Sequence, residues 1–211
     1  MFSEVLSESR LVAILRLDCL DQAPRIVDTL LEAGVRCIEF TLTNRKSPLW
    51  VSRLVHEHPS FRTGQAFLGM GSVRNLEEAK MVLDAGAQFV VTPIMQPEVI
   101  RRCVEAKVPI AAGALTPTEI ATAWDCGASF VKVFPARGLG PGYIKDVLAP
   151  MPYLKLMPTG GIDARNAGDY LAAGAVAVGV GGTLCSPVLV EKQDWDSIHA
   201  AAASIVQACR L

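Results

Sequence analysis

Lys132 stands in the middle of Ser129-Phe-Val-Lys-Val-Phe-Pro-Ala136, a segment that otherwise reads as a fully buried strand. An ammonium in apolar surroundings loses the hydration its charged form needs, so the neutral amine becomes populated near neutral pH. Such an amine attacks carbonyl carbons and forms Schiff bases. A lysine at a strand end can instead snorkel to water or pair with a buried carboxylate, and this segment alone leaves both readings open. Other polar residues interrupt apolar runs in the same manner. Arg16 ends Val12-Ala-Ile-Leu-Arg16, Glu39 interrupts Cys37-Ile-Glu-Phe-Thr-Leu42, and Lys155 and Thr159 flank Leu156-Met-Pro158. An arginine, a glutamate and a lysine in one place supply an anion binder, a proton carrier and a nucleophile. The competing reading is a buried ion-pair network that fixes a core.

Which reading holds depends on the elements that carry these residues. Short apolar runs at Leu11-Leu17, Cys37-Leu42, Gly64-Gly69, Phe89-Pro93, Pro109-Gly113, Phe130-Phe134, Leu154-Pro158 and Val176-Val180 read as strands. Helical spacing of apolar residues follows each, near Gln22-Ala33, Ser47-His56, Asn75-Ala85, Pro97-Ala106, Pro117-Cys126, Gly142-Leu148, Ala164-Ala173 and Trp195-Cys209. Strands so uniformly apolar point to a parallel sheet covered by helices. A weak repeat agrees: Glu32-Ala-Gly-Val35, Asp84-Ala-Gly-Ala87, Asp125-Cys-Gly-Ala128 and Ala173-Gly-Ala175 each end a helical pattern with a C-capping glycine. Eight strand and helix pairs predict a (β/α)8 TIM barrel forming a single domain over residues 1–211. A doubly wound open sheet is the alternative, but no Gly-x-Gly-x-x-Gly follows the first strand. In a barrel the active site lies at the C-terminal ends of the strands, so charged residues from three strands converge there, which favours chemistry over an ion-pair network.

Two glycine-rich turns come late, Pro158-Thr-Gly-Gly-Ile-Asp163 after the seventh strand and Val180-Gly-Gly-Thr183 after the eighth. As a pair in these positions Gly160, Gly161, Gly181, Gly182 and Thr183 form a candidate phosphate cradle, with backbone N–H groups aimed at the anion. Gly69-Met-Gly-Ser-Val73 could let a substrate approach the backbone while Ser72 donates a hydrogen bond, or it could simply lead into a Ser72 N-cap.

With 51% hydrophobic residues, 19% charged residues and a net charge of −1, the chain can bury a large core and has no basic, aromatic-interleaved cluster. These features argue against nucleic acid and membrane partners and for a small-molecule substrate. The first ten residues lack a basic region followed by an apolar run, so no secretory signal is read. Six scattered cysteines with no Cys-x-x-Cys read as reduced core residues of a cytoplasmic protein. His56, His58 and His199 have no partner at ligand spacing and read as surface residues, so no metal site is expected. Trp50, Trp124 and Trp195 fall on helices and read as packing or subunit-contact residues.

Taken in order, Ala13-Ile-Leu-Arg16, Gly34-Val-Arg-Cys-Ile-Glu-Phe-Thr-Leu42, Gly69-Met-Gly-Ser-Val73, Val91-Thr-Pro93, Phe130-Val-Lys-Val-Phe-Pro-Ala136, Pro158-Thr-Gly-Gly-Ile162 and Gly181-Gly-Thr183 span nearly the whole chain. This set resembles the 2-keto-3-deoxy-6-phosphogluconate (KDPG) and 4-hydroxy-2-oxoglutarate (KHG) aldolase family, class I enzymes on a (β/α)8 barrel. The resemblance implies that Lys132 is the Schiff-base lysine and Glu39 the acid/base. It places Arg16, Ser72, Thr159 and Pro93 at the pyruvate end and the late glycine turns at the phosphate. It also implies a homotrimer that works on 2-keto acid and aldehyde substrates without a cofactor.

There are departures from the family pattern. The gluconate-type enzymes usually carry an arginine where this chain has Thr43, and a threonine where it has Ser72. Arg16 looks like the carboxylate-binding arginine of the 2-keto-3-deoxy-6-phosphogalactonate branch, and Phe134-Pro-Ala-Arg137 and Gly140-Pro-Gly-Tyr-Ile-Lys145 look closer to that branch as well. Arg45 is a second candidate for the carboxylate-binding arginine, offset from the family position. Two other classes share some of these features, a sugar-phosphate epimerase barrel using Lys132 and Glu39 as proton carriers and a non-enzymatic sugar-phosphate binder.

Overall fold

The structure is a computed structural model, and it describes residues 2–210. Its eight strands are β1 (Leu11–Leu15), β2 (Cys37–Thr41), β3 (Phe67–Gly71), β4 (Val90–Val91), β5 (Ile110–Ala114), β6 (Phe130–Val133), β7 (Leu156–Pro158) and β8 (Val178–Val180). All the strand pairs are parallel, and each strand lies beside the next in sequence, with β1 beside β8. The ring closes where Val176 N–H donates to the Leu156 carbonyl at 3.0 Å and Thr159 bridges Gly179.

The helices are α1 (Phe2–Ser9), α2 (Ala23–Glu32), α3 (Ser47–Glu57), α4 (Pro59–Arg62), α5 (Leu76–Asp84), α6 (Pro97–Glu105), α7 (Pro117–Asp125), α8 (Gly140–Leu148), α9 (Ala167–Ala172), α10 (Pro187–Glu191) and α11 (Trp195–Ala208). None is long and apolar enough to cross a membrane. Gly34, Gly86, Gly127 and Gly174, which follow α2, α5, α7 and α9, have φ of +97°, +81°, +98° and +105°. Each takes the left-handed turn that ends its helix and sends the chain into the next strand.

The strands bury both faces, which is why they read as continuous apolar runs. Ala13, Leu15, Ile38, Phe40, Leu68, Met70, Val131 and Val133 belong to the large core shared with the outer helices. Their neighbours along the strands, Val12, Cys37, Phe67, Phe130 and Met157, form a second cluster with Phe2, Phe89, Val91, Ala111 and Ala177. This second cluster fills the barrel interior, because side chains alternate across a strand. Phe2 of α1 stacks on Phe89 at 4.7 Å and meets Phe67 and Phe130 edge-on at 5.4 and 6.0 Å. Phe67 and Phe130 open their strands, so α1 plugs the N-terminal end of the barrel and leaves the C-terminal end open.

The structure departs from the sequence reading in several places. The third strand is Phe67–Gly71 and not Gly64-Gly69, because α4 and its following turn occupy the chain up to Gly64. Its two glycines lie within the strand. Helices α1, α4 and α10 were not expected from the sequence, and the strands at 89–93, 154–158 and 176–180 are shorter than their apolar runs.

Candidate active site

Glu39 lies on β2 and Lys132 on β6, four strands apart around the ring and therefore on opposite walls. Both belong to the inward-facing series of their strands, one step beyond Cys37 and Phe130 towards the open end. Glu39 is 1% exposed and Lys132 6% exposed. Room for Glu39 comes from Gly71 on the adjacent strand, where a Cβ would fall 1.7 Å from Glu39 Oε1. Gly179 on β8 makes room in the same way for Thr159, whose Oγ1 would be 2.3 Å from a Cβ there. The glycines of β3 and β8 therefore hollow the upper barrel around polar side chains.

Burial drives the electrostatics of this pair. It pushes the Glu39 carboxyl above the ordinary carboxylate range, against the opposing pull of Lys132 and Arg16. It pushes the Lys132 ammonium below the ordinary lysine range; Glu39 opposes that shift and the Arg16 guanidinium adds to it. Each group is thus driven towards its neutral form. No ion pair joins them among the described residues, and Glu39 Oε2 is buried without a hydrogen-bond partner. The Lys132 ammonium lies 5.2 Å from the Phe134 ring centroid. A closed ion-pair network, the structural alternative for these charges, is absent from the described residues.

The pair opens into a cavity of about 780 Å3 at the C-terminal mouth. Its lining holds Arg16, Glu39, Ser72, Pro93, Lys132, Thr159, Gly160, Gly161, Gly181, Gly182 and Thr183, so the residues read from the sequence as catalytic, pyruvate-binding and phosphate-binding share one space. Arg16 lies just past β1, exposed, with no hydrogen bond or ion pair among the described residues. Ser72 follows β3 with φ +63°, and the N-cap of the next helix is Asn75, accepting from Glu78 N–H, so the N-cap reading of Ser72 is corrected. Gly160 and Gly161 turn with φ +96° and +80°, and the Gly161 carbonyl accepts from Asn166 Nδ2 at 3.0 Å. Thr183 Oγ1 donates to the Ile162 carbonyl at 3.4 Å and ties the two late turns together. Both turns line the same cavity.

Lys155 does not join this set: it precedes β7, at the opposite end of the barrel, with its ammonium 5.8 Å from the Phe130 ring centroid. Arg45 is exposed and does not line the cavity. Thr43 hydrogen-bonds Thr41, a cavity residue, at 2.7 Å between their hydroxyl oxygens.

Sequence reading passed over several groups. Thr41 and Thr92 are hydroxyls in apolar runs, where threonine is common. Thr92 Oγ1 donates to the Ile94 carbonyl at 2.7 Å and accepts from Gly113 N–H at 2.9 Å, which pins the loop that carries Pro93. Arg137 and the Asp163–Arg165 pair also line the cavity, and lie in polar loops where charge is ordinary.

Of the six cysteines, Cys37, Cys103, Cys185 and Cys209 are buried, and burial pushes the Cys37 and Cys185 thiols up to about 12. Cys126 is half-buried and Cys19 exposed, so the reading of all six as core residues is corrected for these two. His58 is also more than a surface residue, since Nε2 pairs with Asp28 Oδ1 at 3.0 Å and Nδ1 accepts from Ser60 N–H. His56 and His199 are exposed.

The matches to known proteins place the chain among the lyases that break carbon–carbon bonds, the aldolases. The family model described as KDPG and KHG aldolase matches residues 2–201, and the chain belongs to that family. It is 31% identical to the 2-dehydro-3-deoxy-phosphogluconate aldolase of Haemophilus influenzae over 204 residues, covering 96% of this chain and 94% of that protein. It is 33% identical to the 2-dehydro-3-deoxy-6-phosphogalactonate aldolase of Escherichia coli over 175 residues, covering 82% of this chain and 83% of that protein. Among solved structures, native KDPGal superposes with a TM-score of 0.86 at 30% identity over 95% of this chain and 94% of that one.

Proposed function

We propose that the chain is a class I aldolase that reversibly cleaves a 2-keto-3-deoxy-6-phospho sugar acid, of the gluconate type, to pyruvate and glyceraldehyde 3-phosphate. The corresponding reaction of 4-hydroxy-2-oxoglutarate gives pyruvate and glyoxylate. The observation that carries the reading is a buried lysine facing a buried glutamate across the barrel with no ion pair between them.

In this mechanism the neutral Lys132 amine attacks the C2 carbonyl. Protonated Glu39 gives its proton to the carbinolamine hydroxyl, which leaves as water, and the iminium forms. The resulting Glu39 carboxylate, directly or through a water, then takes the proton of the C4 hydroxyl. The C3–C4 bonding electrons flow into the iminium, which leaves an enamine and releases the aldehyde. Protonation at C3 and hydrolysis of the imine free pyruvate and the lysine. Arg16 grips the substrate carboxylate with two parallel hydrogen bonds and holds C2 within reach of the amine. Ser72, Thr159 and Pro93 border the same end, and the turns at Gly160-Gly161 and Gly181-Gly182-Thr183 receive the phosphate. The iminium formed on Lys132 is the electron sink, so the scheme uses no cofactor and no metal.

The C4-epimeric galactonate acid is the second reading. Arg16 just past β1 and Thr43 in place of the usual arginine favour it. The same reading includes a single-domain homotrimer in the cytoplasm. Borohydride reduction in the presence of pyruvate should add the mass of a reduced pyruvate adduct to Lys132, and active protein without that adduct would exclude the Schiff base. Comparing kcat/KM for the gluconate, galactonate and hydroxyglutarate substrates then ranks the acids.

A further inference from the structure

We propose that Arg137 is a phosphate-selecting residue that makes this site prefer 6-phosphorylated keto acids over their unphosphorylated counterparts. The inference rests on the aldolase reading and specifies its substrate class.

Two guanidinium groups border the late glycine turns, those of Arg137 and Arg165. Arg165 is already neutralised, since Nη2 and Nε reach Asp163 Oδ2 at 2.6 and 3.1 Å, and its backbone N–H reaches Oδ1 at 2.8 Å. Arg137 has no hydrogen bond or ion pair among the described residues. It sits in the single 3-10 turn Ala136–Gly138 after β6, which is tied to the β7 loop where Ala136 N–H donates to the Thr159 carbonyl at 2.9 Å. Its side chain lies over Gly161: a Cβ on that glycine would fall 2.9 Å from both Arg137 Cβ and Nε. The absence of a side chain at Gly161 therefore lets the Arg137 side chain pass closely over the glycine turn.

The position of Arg137 separates its role from that of Arg16. Arg16 follows β1, whereas Arg137 follows β6 and lies over Gly161 of the late glycine turn. Two arginines without a hydrogen-bond or ion-pair partner among the described residues therefore line the cavity, one after β1 and one beside the glycine turns. A keto acid with a carboxylate at one end and a phosphate dianion at the other matches that spacing of charge. An acid with no second anion leaves Arg137 unused. A fork of N–H donors on a dianion forms charge-assisted bonds stronger than those the backbone alone offers.

The test compares 2-keto-3-deoxy-6-phosphogluconate with 2-keto-3-deoxygluconate in the wild type, Arg137→Ala and Arg137→Lys. In the wild type, kcat/KM favours the phosphorylated acid. In Arg137→Ala that preference falls by about ten- to a hundredfold, mainly through KM, and Arg137→Lys recovers part of it. An equal fall for both substrates, as from a structural role, or an unchanged ratio overturns the proposal. Inorganic phosphate titrated calorimetrically into the wild type and Arg137→Ala reads the same contact without catalysis. Binding weakened about tenfold or more supports it, and equal affinity overturns it. A wild type that traps pyruvate on Lys132 yet shows no phosphate preference keeps the aldolase and removes the role of Arg137. A wild type that traps none removes the aldolase, and the phosphate titration then decides Arg137 alone.

Discussion

At the scale of single residues, Lys132 and Glu39 stand in the chain as costs to the fold. Folded Lys132 gives up its proton at a lower pH than the 10.5 of an ordinary lysine. Between its depressed value and that pH the unfolded chain binds more protons, so stability rises with pH through this window. Below the window the buried ammonium is present in full. Lys132→Met removes it, and the variant is expected to be more stable than the wild type by about 1–3 kcal/mol on the acid side, with the gap narrowing towards pH 10.5. Urea midpoints at pH 6, 8 and 10 measure this, and a gap that stays constant or widens with pH would contradict it. This cost is also why the pair was legible in the sequence. A charge inside an apolar strand is rare enough to need a reason, and Lys132, Glu39 and Arg16 all met that condition. Arg137 did not, because an arginine in a polar loop looks like any solvated side chain until the fold lays it over Gly161.

At the scale of elements, the glycines of β3 were the least legible part of the barrel. Gly69 read as the last residue of the strand and Gly71 as part of the turn after it, yet both sit inside β3 and face inward, one against the Phe89 ring and one against Glu39. Nothing in the local sequence says that a side chain from the neighbouring strand fills the space. Gly71→Ala is therefore expected to act on Glu39. Overpacking costs about 1–3 kcal/mol of stability, and displacement of the carboxyl is expected to lower turnover by about 100-fold or more, the same loss expected of Glu39→Gln. Urea unfolding and kcat measure the two effects, and a stable Gly71→Ala variant with near-normal kcat would remove the packing argument. Gly142 of α8 provides the contrast, since no heavy atom lies within 4 Å of its added Cβ. Gly142→Ala is expected to stabilise by about 0.5–1 kcal/mol with turnover unaffected, and a loss of stability would show that this helix is constrained in some other way. The α-helical repeats were legible for the opposite reason, since glycine at a helix end acts through its own backbone and needs no partner from elsewhere.

At the scale of the whole molecule, the barrel divides its interior between two tasks. The upper half is hollowed by glycines and holds a few polar groups, while the lower half is filled with aromatic side chains and closed by α1. The first ten residues were read only for targeting signals, and a helix of eight residues is too short to announce itself by periodicity. Its stability comes instead from docking, through Phe2 on Phe89, Phe67 and Phe130 and through buried Leu6. Phe2→Ala should then cost about 3 kcal/mol, the range for a buried phenylalanine, and lower the melting temperature by about 6–12 °C for a chain of this size. Lys132 and Glu39 stand above this layer on strands still held by their neighbours. Below the melting transition, borohydride trapping of pyruvate on Lys132 should therefore proceed at close to the wild-type rate. Slow trapping in a well-folded variant would mean that the plug also sets the geometry of the mouth, and the two halves of the barrel would have to be treated as one mechanical unit.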